Sequence, residues 1–379
     1  MDFTISEEMI QMKRTVREFV EEQVDPVAAE IEETDEIPKH VFEMAAEMGL
    51  FGLSIPEEYG GTGMDMLDKC LIFEELGRTH LGFTTVIGSH NGIGTVGIVN
   101  LGTEEQKKKY LPAMASGEKI GAFALTEPNA GSDAANLRTM AEKKGDRYIL
   151  NGTKHFITNS VDGQIFTVMA VTDKSKGARG ITCFILEKGF PGFKVGTVEK
   201  KMGLKGAHSA ELIFEDCEVP AENLLGKEGE GLLNALKTLS NGRVGLAARN
   251  LGACGKLLDM SIEYAKQRVQ FGKPIAEFQA VQHMLAEMAM DTEVTRSMVY
   301  RVAWMADQHM PLIKEAAMTK LFASEAFCRV VDKAFQIYGG MGFMKEFPIE
   351  RFYRDARINR VIEGTSEIQK NIISGQLLK

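Results

Sequence analysis

Apolar positions along the first third of the chain fall at helical spacing. Met9, Met12, Val16, Phe19 and Val20 recur three or four apart, with Glu, Lys and Arg between them, which predicts an amphipathic helix. Asp25-Pro26 ends or kinks it. Pro38 opens another helix ahead of Val41, Phe42 and Met44. Residues 56–63 (PEEYGGTG) read as a loop. Thr103-Glu104-Glu105-Gln106 has the form of a capping box, opening a short helix whose lysine run, Lys107 to Lys109, is a solvated face.

The texture changes near Gly121. From there to about Val219 the apolar runs are short and rich in β-formers. Tyr148-Ile149-Leu150-Asn151-Gly152 places Asn-Gly between apolar segments, which predicts a hairpin turn there. Residues 165–171, 181–186 and 211–219 read as further strands, separated by turn signals such as Lys188-Gly189 and Pro191-Gly192. A compact antiparallel sheet is the economical reading. From Gly231 onward the pattern is helical again, over 231–267, 275–307 and 313–338. Phe271-Gly272-Lys273-Pro274 breaks the first two and Gly339-Gly340 ends the third. Helices this long predict a four-helix bundle. The expected fold is therefore mainly α with a central β domain: a helical domain over 1–120, a β domain over 121–230 and a helical bundle over 231–379.

Composition narrows the function class. The 379 residues carry a net charge of −9, with 44% hydrophobic and 26% charged residues. That is a globular composition, and its acidic balance argues against general nucleic-acid binding. The five cysteines, Cys70, Cys183, Cys217, Cys254 and Cys328, are scattered without a CxxC pair, and the seven histidines form no HExxH. Reduced thiols in a cytoplasmic setting and no metal site are expected. Met1-Asp2-Phe3-Thr4 shows no secretory signal. The stretch from Thr79 to Thr103 lacks Asp, Glu, Lys and Arg but holds His80, Ser89, His90, Asn91, Asn100 and six glycines. Those polar groups and helix breakers do not suit a bilayer span; a buried helix pair or a pocket wall both fit.

Four motifs could carry chemistry. Gly92-Ile93-Gly94-Thr95-Val96-Gly97 matches GxGxxG but lacks the preceding strand and following long helix of a dinucleotide site. Gly339-Gly340-Met341-Gly342 is either a C-cap or a close approach to a phosphate or ring. Ser366 to Gln369 has capping-box form, so a C-terminal helix starts there, with Glu363 and Gly364 just ahead of it. From spacing alone, Glu363 serves the helix dipole; alternatively it projects into a cleft as a base. The polar run 126–133 (TEPNAGSD) is an interdomain loop or a cradle for a cofactor's carbonyls and phosphates.

Together these segments resemble the acyl-CoA dehydrogenase family. The carriers are PEEYGG at 56–61, TEP with GSD over 126–133, Phe156-Ile157-Thr158-Asn159, Arg268 with Phe271-Gly272 and Gln279, Gln336 with Gly339-Gly340, and Glu363-Gly364-Thr365. The resemblance implies a helical N-terminal domain, a β-barrel-like middle domain, a C-terminal four-helix bundle and non-covalent FAD. It implies Glu363 as catalytic base with Arg243 beside it. Phe123, Leu125, Thr126, Ser132, Phe156 and Thr158 would cradle the flavin within one subunit. Arg268, Phe271, Gln279, Gln336, Gly339 and Gly340 would reach the FAD of a neighbouring subunit. Thr365 and Glu367 would lie near its adenosine diphosphate portion. Some members carry the base at the position matching Gly242; glycine cannot do that work, which favours Glu363.

The implied reaction is α,β-dehydrogenation of a fatty acyl-CoA to a trans-2-enoyl-CoA in fatty acid β-oxidation, with electrons passed to an electron-transfer flavoprotein. An oxidase or enoyl-CoA reductase on the same fold, or a non-catalytic assembly factor, are the alternatives. Residues 339–346 (GGMGFMKE), Asn241-Gly242-Arg243 and Gly88-Ser89-His90 are most similar to long- and very-long-chain members. Because the chain stops at Lys379, without the membrane-attaching extension of the very-long-chain enzymes, a soluble homotetramer, a dimer of dimers, is expected. Ser240 replaces an aspartate of medium-chain relatives.

Overall fold

The computed structural model describes residues 5–379; the Met1–Thr4 run, on which the absence of a leader rests, lies outside the described residues. Helix α1 (Glu7–Phe19) starts at Ser6, whose side chain accepts the Met9 N–H, and buries Met9, Val16 and Phe19. A π turn (Val20–Val24) and a 3₁₀ turn (Asp25–Val27) carry the chain past Pro26 into α2 (Ala28–Thr34). Proline removes one helical donor, which is the physical reason for the kink. Next come α3 (Lys39–Glu47), α4 (Met66–Leu76), α5 (Leu81–Ser89), a π turn (His90–Gly94), α6 (Val96–Leu101) and α7 (Glu104–Ala115). Both arms of the Thr103–Gln106 capping box are made.

The middle region is an eight-stranded sheet. Its strands are β1 (Gly121–Ala124), β2 (Met140–Lys144), β3 (Arg147–Thr158), β4 (Ile165–Val171), β5 (Ile181–Glu187), β6 (Phe193–Val198), β7 (Ser209–Pro220) and β8 (Leu224–Leu225). The order is β6-β7-β3-β2-β4-β5-β8, and β1 pairs with β4. Two expectations change here. The sheet is not wholly antiparallel, because β1 runs parallel to β4 from Gly121↔Ile165 to Ala124↔Val168. The Asn151-Gly152 pair is not a turn: β3 continues through it, and the register against β7 shifts between Leu150 and Gly152. Gly152 sits at φ +147 against Thr139, so Asn-Gly marks a bulge. The turn lies earlier, at Gly145-Asp146, where Lys144 pairs with Arg147.

The third region holds α8 (Gly231–Gln267), a short ribbon pairing 269–270 with 273–274, α9 (Gln279–Asp307), α10 (Ile313–Tyr338), α11 (Gly340–Phe343), α12 (Ile349–Ile358) and α13 (Ser366–Leu377). The second long helix starts at Gln279, since Pro274 and a 3₁₀ turn (Ile275–Glu277) precede it. Helix α8 ties the regions together. Val244, Ala247 and Ala248 enter one core with Phe19, Phe73, Phe83 and Val299, while Cys254 and Leu257 enter another with Phe327 and Phe352. No described helix is long and apolar enough to cross a membrane.

Candidate active site

The segment between α12 and α13 carries Glu363 in the left-handed region, at φ +53. That conformation is strained for a side chain with a Cβ and persists only where neighbours hold it. Here three side chains do so. Arg243 Nε donates to the Glu363 carbonyl at 3.0 Å. Gln369 Nε2 donates to the same carbonyl at 3.1 Å and to that of Gly364 at 2.9 Å. Lys320 Nζ donates to the Gly364 carbonyl at 2.8 Å. Gly364 itself is at φ +95, and a Cβ there would meet Gln369 Nε2 at 2.7 Å.

The clamp aims the carboxylate at α8. A Cβ built on Gly242 would lie 2.8 Å from Glu363 Oε2 and 2.9 Å from Ile93 Cγ2. Glycine at 242 is thus what leaves room for the acid. Glu363 Oε2 is sealed from solvent and has no hydrogen-bond partner. Burial raises its pKa above the ordinary 4.5, against the opposing pull of Arg249, Arg243 and Lys320. Gly242 also lines a narrow cavity of about 20 Å³ with Met66, Phe73, Gly88, Asn91, Gly92, Leu246 and Arg249. The uncharged stretch 79–103 is therefore both buried helix and pocket wall.

The π turn at His90–Gly94 links this cavity to the sheet. His90 Nδ1 accepts the Gly121 N–H at 2.9 Å, which leaves Nε2–H to donate to the Phe51 carbonyl at 3.0 Å. Beyond β1, Leu125 and Thr126 are fixed from behind: Lys154 Nζ donates to the Leu125 carbonyl at 3.1 Å, and the His155 N–H to the Thr126 carbonyl at 2.9 Å. Phe123 is partly buried against the core under β4 and β5. Phe156 stands at φ +56 and 62% exposed, stacked on His155 at 3.9 Å. Thr158 Oγ1 meets Ser209 Oγ at 3.3 Å, and Ser132 is exposed beside Gly131, at which a Cβ would meet nothing within 4 Å. The exposed Phe156 ring, the exposed Ser132 hydroxyl and an open glycine fit a flat, hydrogen-bonding ring such as a flavin.

The remaining expected residues stand apart from this cluster. Arg268, Gln279, Gln336, Gly339 and Gly340 are exposed. Phe271, at the ribbon tip, is 93% exposed with φ +51. Arg268 and Met341 line one groove of about 680 Å³ beside the Tyr264–Tyr338 stack. Glu367 is exposed in the first turn of α13. The helix start differs by one residue from expectation: Thr365 is the cap, its Oγ1 accepting the Ile368 N–H at 3.3 Å. Ser366 Oγ instead donates to Glu325 at 2.8 Å, and Gln369 is spent on the Glu363 clamp.

Sequence reasoning missed Lys320, Gln369 and Arg249. A signal existed for two of them. Lys320 falls on the apolar stripe of α10 with Ala316, Ala317, Ser324 and Phe327, all buried. Arg249 is the lone charge in the run 244–255. A charge on an apolar face is the informative exception.

Comparison with known proteins agrees with this architecture. Models of the acyl-CoA dehydrogenase N-terminal, middle and C-terminal domains match residues 6–118, 122–217 and 229–378. Similar curated proteins include an acyl-CoA dehydrogenase of Bacillus subtilis (45% identical, covering 99% of each chain). Another is acryloyl-CoA reductase (NADH) of Anaerotignum propionicum (44%, covering 100% of this chain and 96% of that one). A third is a short-chain-specific acyl-CoA dehydrogenase of Clostridium acetobutylicum (42%, covering 100% of each). Among solved structures, butyryl-CoA dehydrogenase from Megasphaera elsdenii is 41% identical with a TM-score of 0.97, covering 100% of each chain. A chain solved in work on the electron-transferring flavoprotein of Acidaminococcus fermentans is 44% identical, with a TM-score of 0.97 and 100% of each chain covered.

These likenesses overturn the expected leaning toward long- and very-long-chain members and point to short-chain and butyryl types. The space left by Gly88 is taken up by the Arg249 guanidinium, not by a longer pocket, and residues 339–346 lie at the far end of α10, away from the cavity. The cofactor is FAD. This chain belongs to the acyl-CoA dehydrogenase family, and it is a flavin-dependent oxidoreductase.

Proposed function

We propose that this enzyme dehydrogenates a short-chain acyl-CoA to its trans-2-enoyl-CoA, with Glu363 as the α-proton base. The reading rests on one observation above all: a half-buried carboxylate held at φ +53, with its Oε2 sealed from solvent, without a hydrogen-bond partner and set against Gly242 in the cavity wall. An α-proton beside a thioester is too weakly acidic for an ordinary carboxylate in water. Burial makes Glu363 a stronger base by raising its pKa. The Glu363 clamp fixes its distance to the α-carbon, which is the positioning half of the catalysis. Glu363 takes the α-proton, and the C–H electrons form the new double bond. Bound FAD supplies the acceptor for the hydrogen and electron pair that leave the β-carbon.

Phe123, Leu125, Thr126, Ser132, Phe156 and Thr158 would hold the flavin, and Thr365 and Glu367 would serve its diphosphate end. Arg268, Phe271, Gln279, Gln336, Gly339 and Gly340 would meet the FAD of a neighbouring subunit in a homotetramer. Their exposure supports this, above all Phe271 at 93%. The Acidaminococcus likeness supports an electron-transfer flavoprotein as acceptor.

Anaerobic butyryl-CoA should bleach the holoenzyme's flavin absorbance, and Glu363→Gln should keep FAD but lose bleaching. Normal turnover by that variant would remove Glu363 from the role. The acryloyl-CoA reductase likeness favours a second reading, reduction of the enoyl thioester. Oxidation of the reduced holoenzyme by crotonyl-CoA, faster than its reduction by butyryl-CoA, would favour it.

A further inference from the structure

Strand β3 breaks its own alternation beside the expected flavin residues. Successive strand residues face opposite sides, so residues three apart on a regular strand do too. Lys154 and Ile157 are nevertheless both buried, at 0% and 2% exposed. The register against β7 shifts between them, which marks an inserted residue, a bulge. The bulge leaves His155 and Phe156 together on the outer side. Their rings stack at 3.9 Å and 12°, a contact that neighbours on a regular strand cannot make.

This arrangement is costly for Phe156 itself. The residue adopts φ +56, an outlier for a bulky side chain. Its ring stays 62% exposed, so burial in this chain does little to offset the strain. Strain of this kind persists where the surroundings impose it, and bulges beside functional sites re-aim side chains.

His155 is tied at both ends. Its backbone N–H donates to the Thr126 carbonyl at 2.9 Å. Its Nε2–H donates to Glu199 Oε1 at 2.7 Å. Glu199 is anchored in turn, its own N–H donating to the Ser209 carbonyl at 2.8 Å. Ser209 Oγ meets Thr158 Oγ1 at 3.3 Å. One half-buried histidine thus connects Thr126, Phe156 and the rung that carries Thr158.

We infer that His155 and Glu199 are positioning residues for the flavin: the imidazole, steered by Glu199, holds the Phe156 ring in place for the isoalloxazine, and the His155 backbone fixes Thr126 beside it. The inference rests on the reading of Phe156 and Thr126 as flavin contacts and adds what sets them. Neither His155 nor Glu199 needs to touch the cofactor. Their effect on it passes through the Phe156 ring and the Thr126 carbonyl.

Holoenzyme variants decide it by two readouts that do not depend on turnover, the visible circular dichroism of the bound flavin and the rate of FAD release on dilution. His155→Ala should change the dichroism and release FAD about fivefold faster, the scale of one lost aromatic pair. Its limiting bleaching rate with butyryl-CoA should fall while the half-saturating concentration stays put. His155→Phe keeps a ring under Phe156 and should restore most of the dichroism. Glu199→Leu leaves both rings and removes only the tie, so it should fall between His155→Ala and wild type. Should His155→Ala not fold, Glu199→Leu carries the same test. Wild-type dichroism and release in the folded variant, with or without a lower melting temperature, overturn the inference. Phe156→Ala separates it from the reading beneath: if that variant changes both readouts and His155→Ala neither, only the inference falls. If Phe156→Ala also matches wild type, the flavin-contact reading of Phe156 falls with it.

Discussion

Lys320 Nζ reaches across from the middle of α10 to donate to the Gly364 carbonyl at 2.8 Å. The contact joins two residues 44 positions apart and converts a strained loop into a fixed mount for Glu363. Burial lowers the lysine's pKa to about 8 against the nearby carboxylate of Glu363, so it still carries its proton at neutral pH. Removing it as Lys320→Met leaves Arg243 and Gln369 to hold the peptide. A misplacement of about 1 Å can cost about 100-fold in rate. The bleaching rate with butyryl-CoA should fall 10- to 100-fold while FAD stays bound, as measured by stopped flow and by the flavin spectrum. An unchanged rate would show that the mount does not depend on Lys320.

The acid limb of activity should reflect the environment of Glu363. Its pKa is raised by burial and pulled back by Arg249 and Arg243 from α8 and Lys320 from α10. A base must be deprotonated, so kcat/KM should rise with pH through a midpoint above the ordinary 4.5. Arg249→Gln removes one of the cations that lower this pKa, so the midpoint should move further toward alkaline pH. A shift toward acid would contradict the assigned charge field. Stability follows the opposite sense. A carboxyl whose folded pKa lies above its unfolded value favours the fold below the unfolded pKa, and that contribution is lost as pH rises through the folded one. Glu363→Gln should therefore raise the melting temperature at pH 8 more than at pH 4.

Much of this was open to reading in the sequence, and the misses have a common cause. The periodicities over 231–267 and 313–338 coincide with α8 and α10 because helix hydrogen bonds are local. The Asn151-Gly152 signal misled because a bulge and a turn share the same local chemistry, and only pairing with β7 tells them apart. Likewise Ser366 and Gln369 have the spacing of a capping box, yet tertiary partners at Glu325 and at the Glu363 carbonyl claim both side chains. Glu363 could be picked out as a candidate, but its burial, its conformation and its three cationic neighbours depend on helices more than 40 residues away in the chain.

The loop expected to cradle the flavin hangs on one buried ion pair. Lys154 Nζ lies 2.8 Å from Glu127 Oε1, both nearly inaccessible, and Glu127 also accepts the Arg138 and Thr139 N–H groups at 2.6 and 3.0 Å. Burial lowers the lysine's pKa to about 8, and the carboxylate opposes that. Removing either partner leaves the other buried and uncompensated, at a cost of about 3–5 kcal/mol. Lys154→Met should lower unfolding stability by that amount in urea titrations and release FAD faster on dilution. Lys154→Met with Glu127→Leu should be milder than Lys154→Met alone. Equal stability of wild type and single variant would mean the pair is not needed to hold the loop.

His90 couples the cavity wall to β1 only as a neutral ring. With Nδ1 accepting from the Gly121 N–H and Nε2–H donating to the Phe51 carbonyl, a proton on Nδ1 would break the Gly121 bond. Protonation would set an N–H against the Gly121 N–H and bury a charge. Burial accordingly lowers the pKa from 6.5 to about 4. The unfolded chain takes up a proton near 6.5 and the folded chain only near 4, so stability falls as pH drops through that window and levels off below it. The loss amounts to about 3 kcal/mol. His90→Gln keeps a donor for Phe51 and cannot titrate. It should be less stable than wild type at pH 7, yet its stability should change less between pH 6.5 and 4. Denaturant unfolding at a series of pH values decides the matter: parallel curves for the two proteins across that interval would rule out His90 as the source of the acid sensitivity.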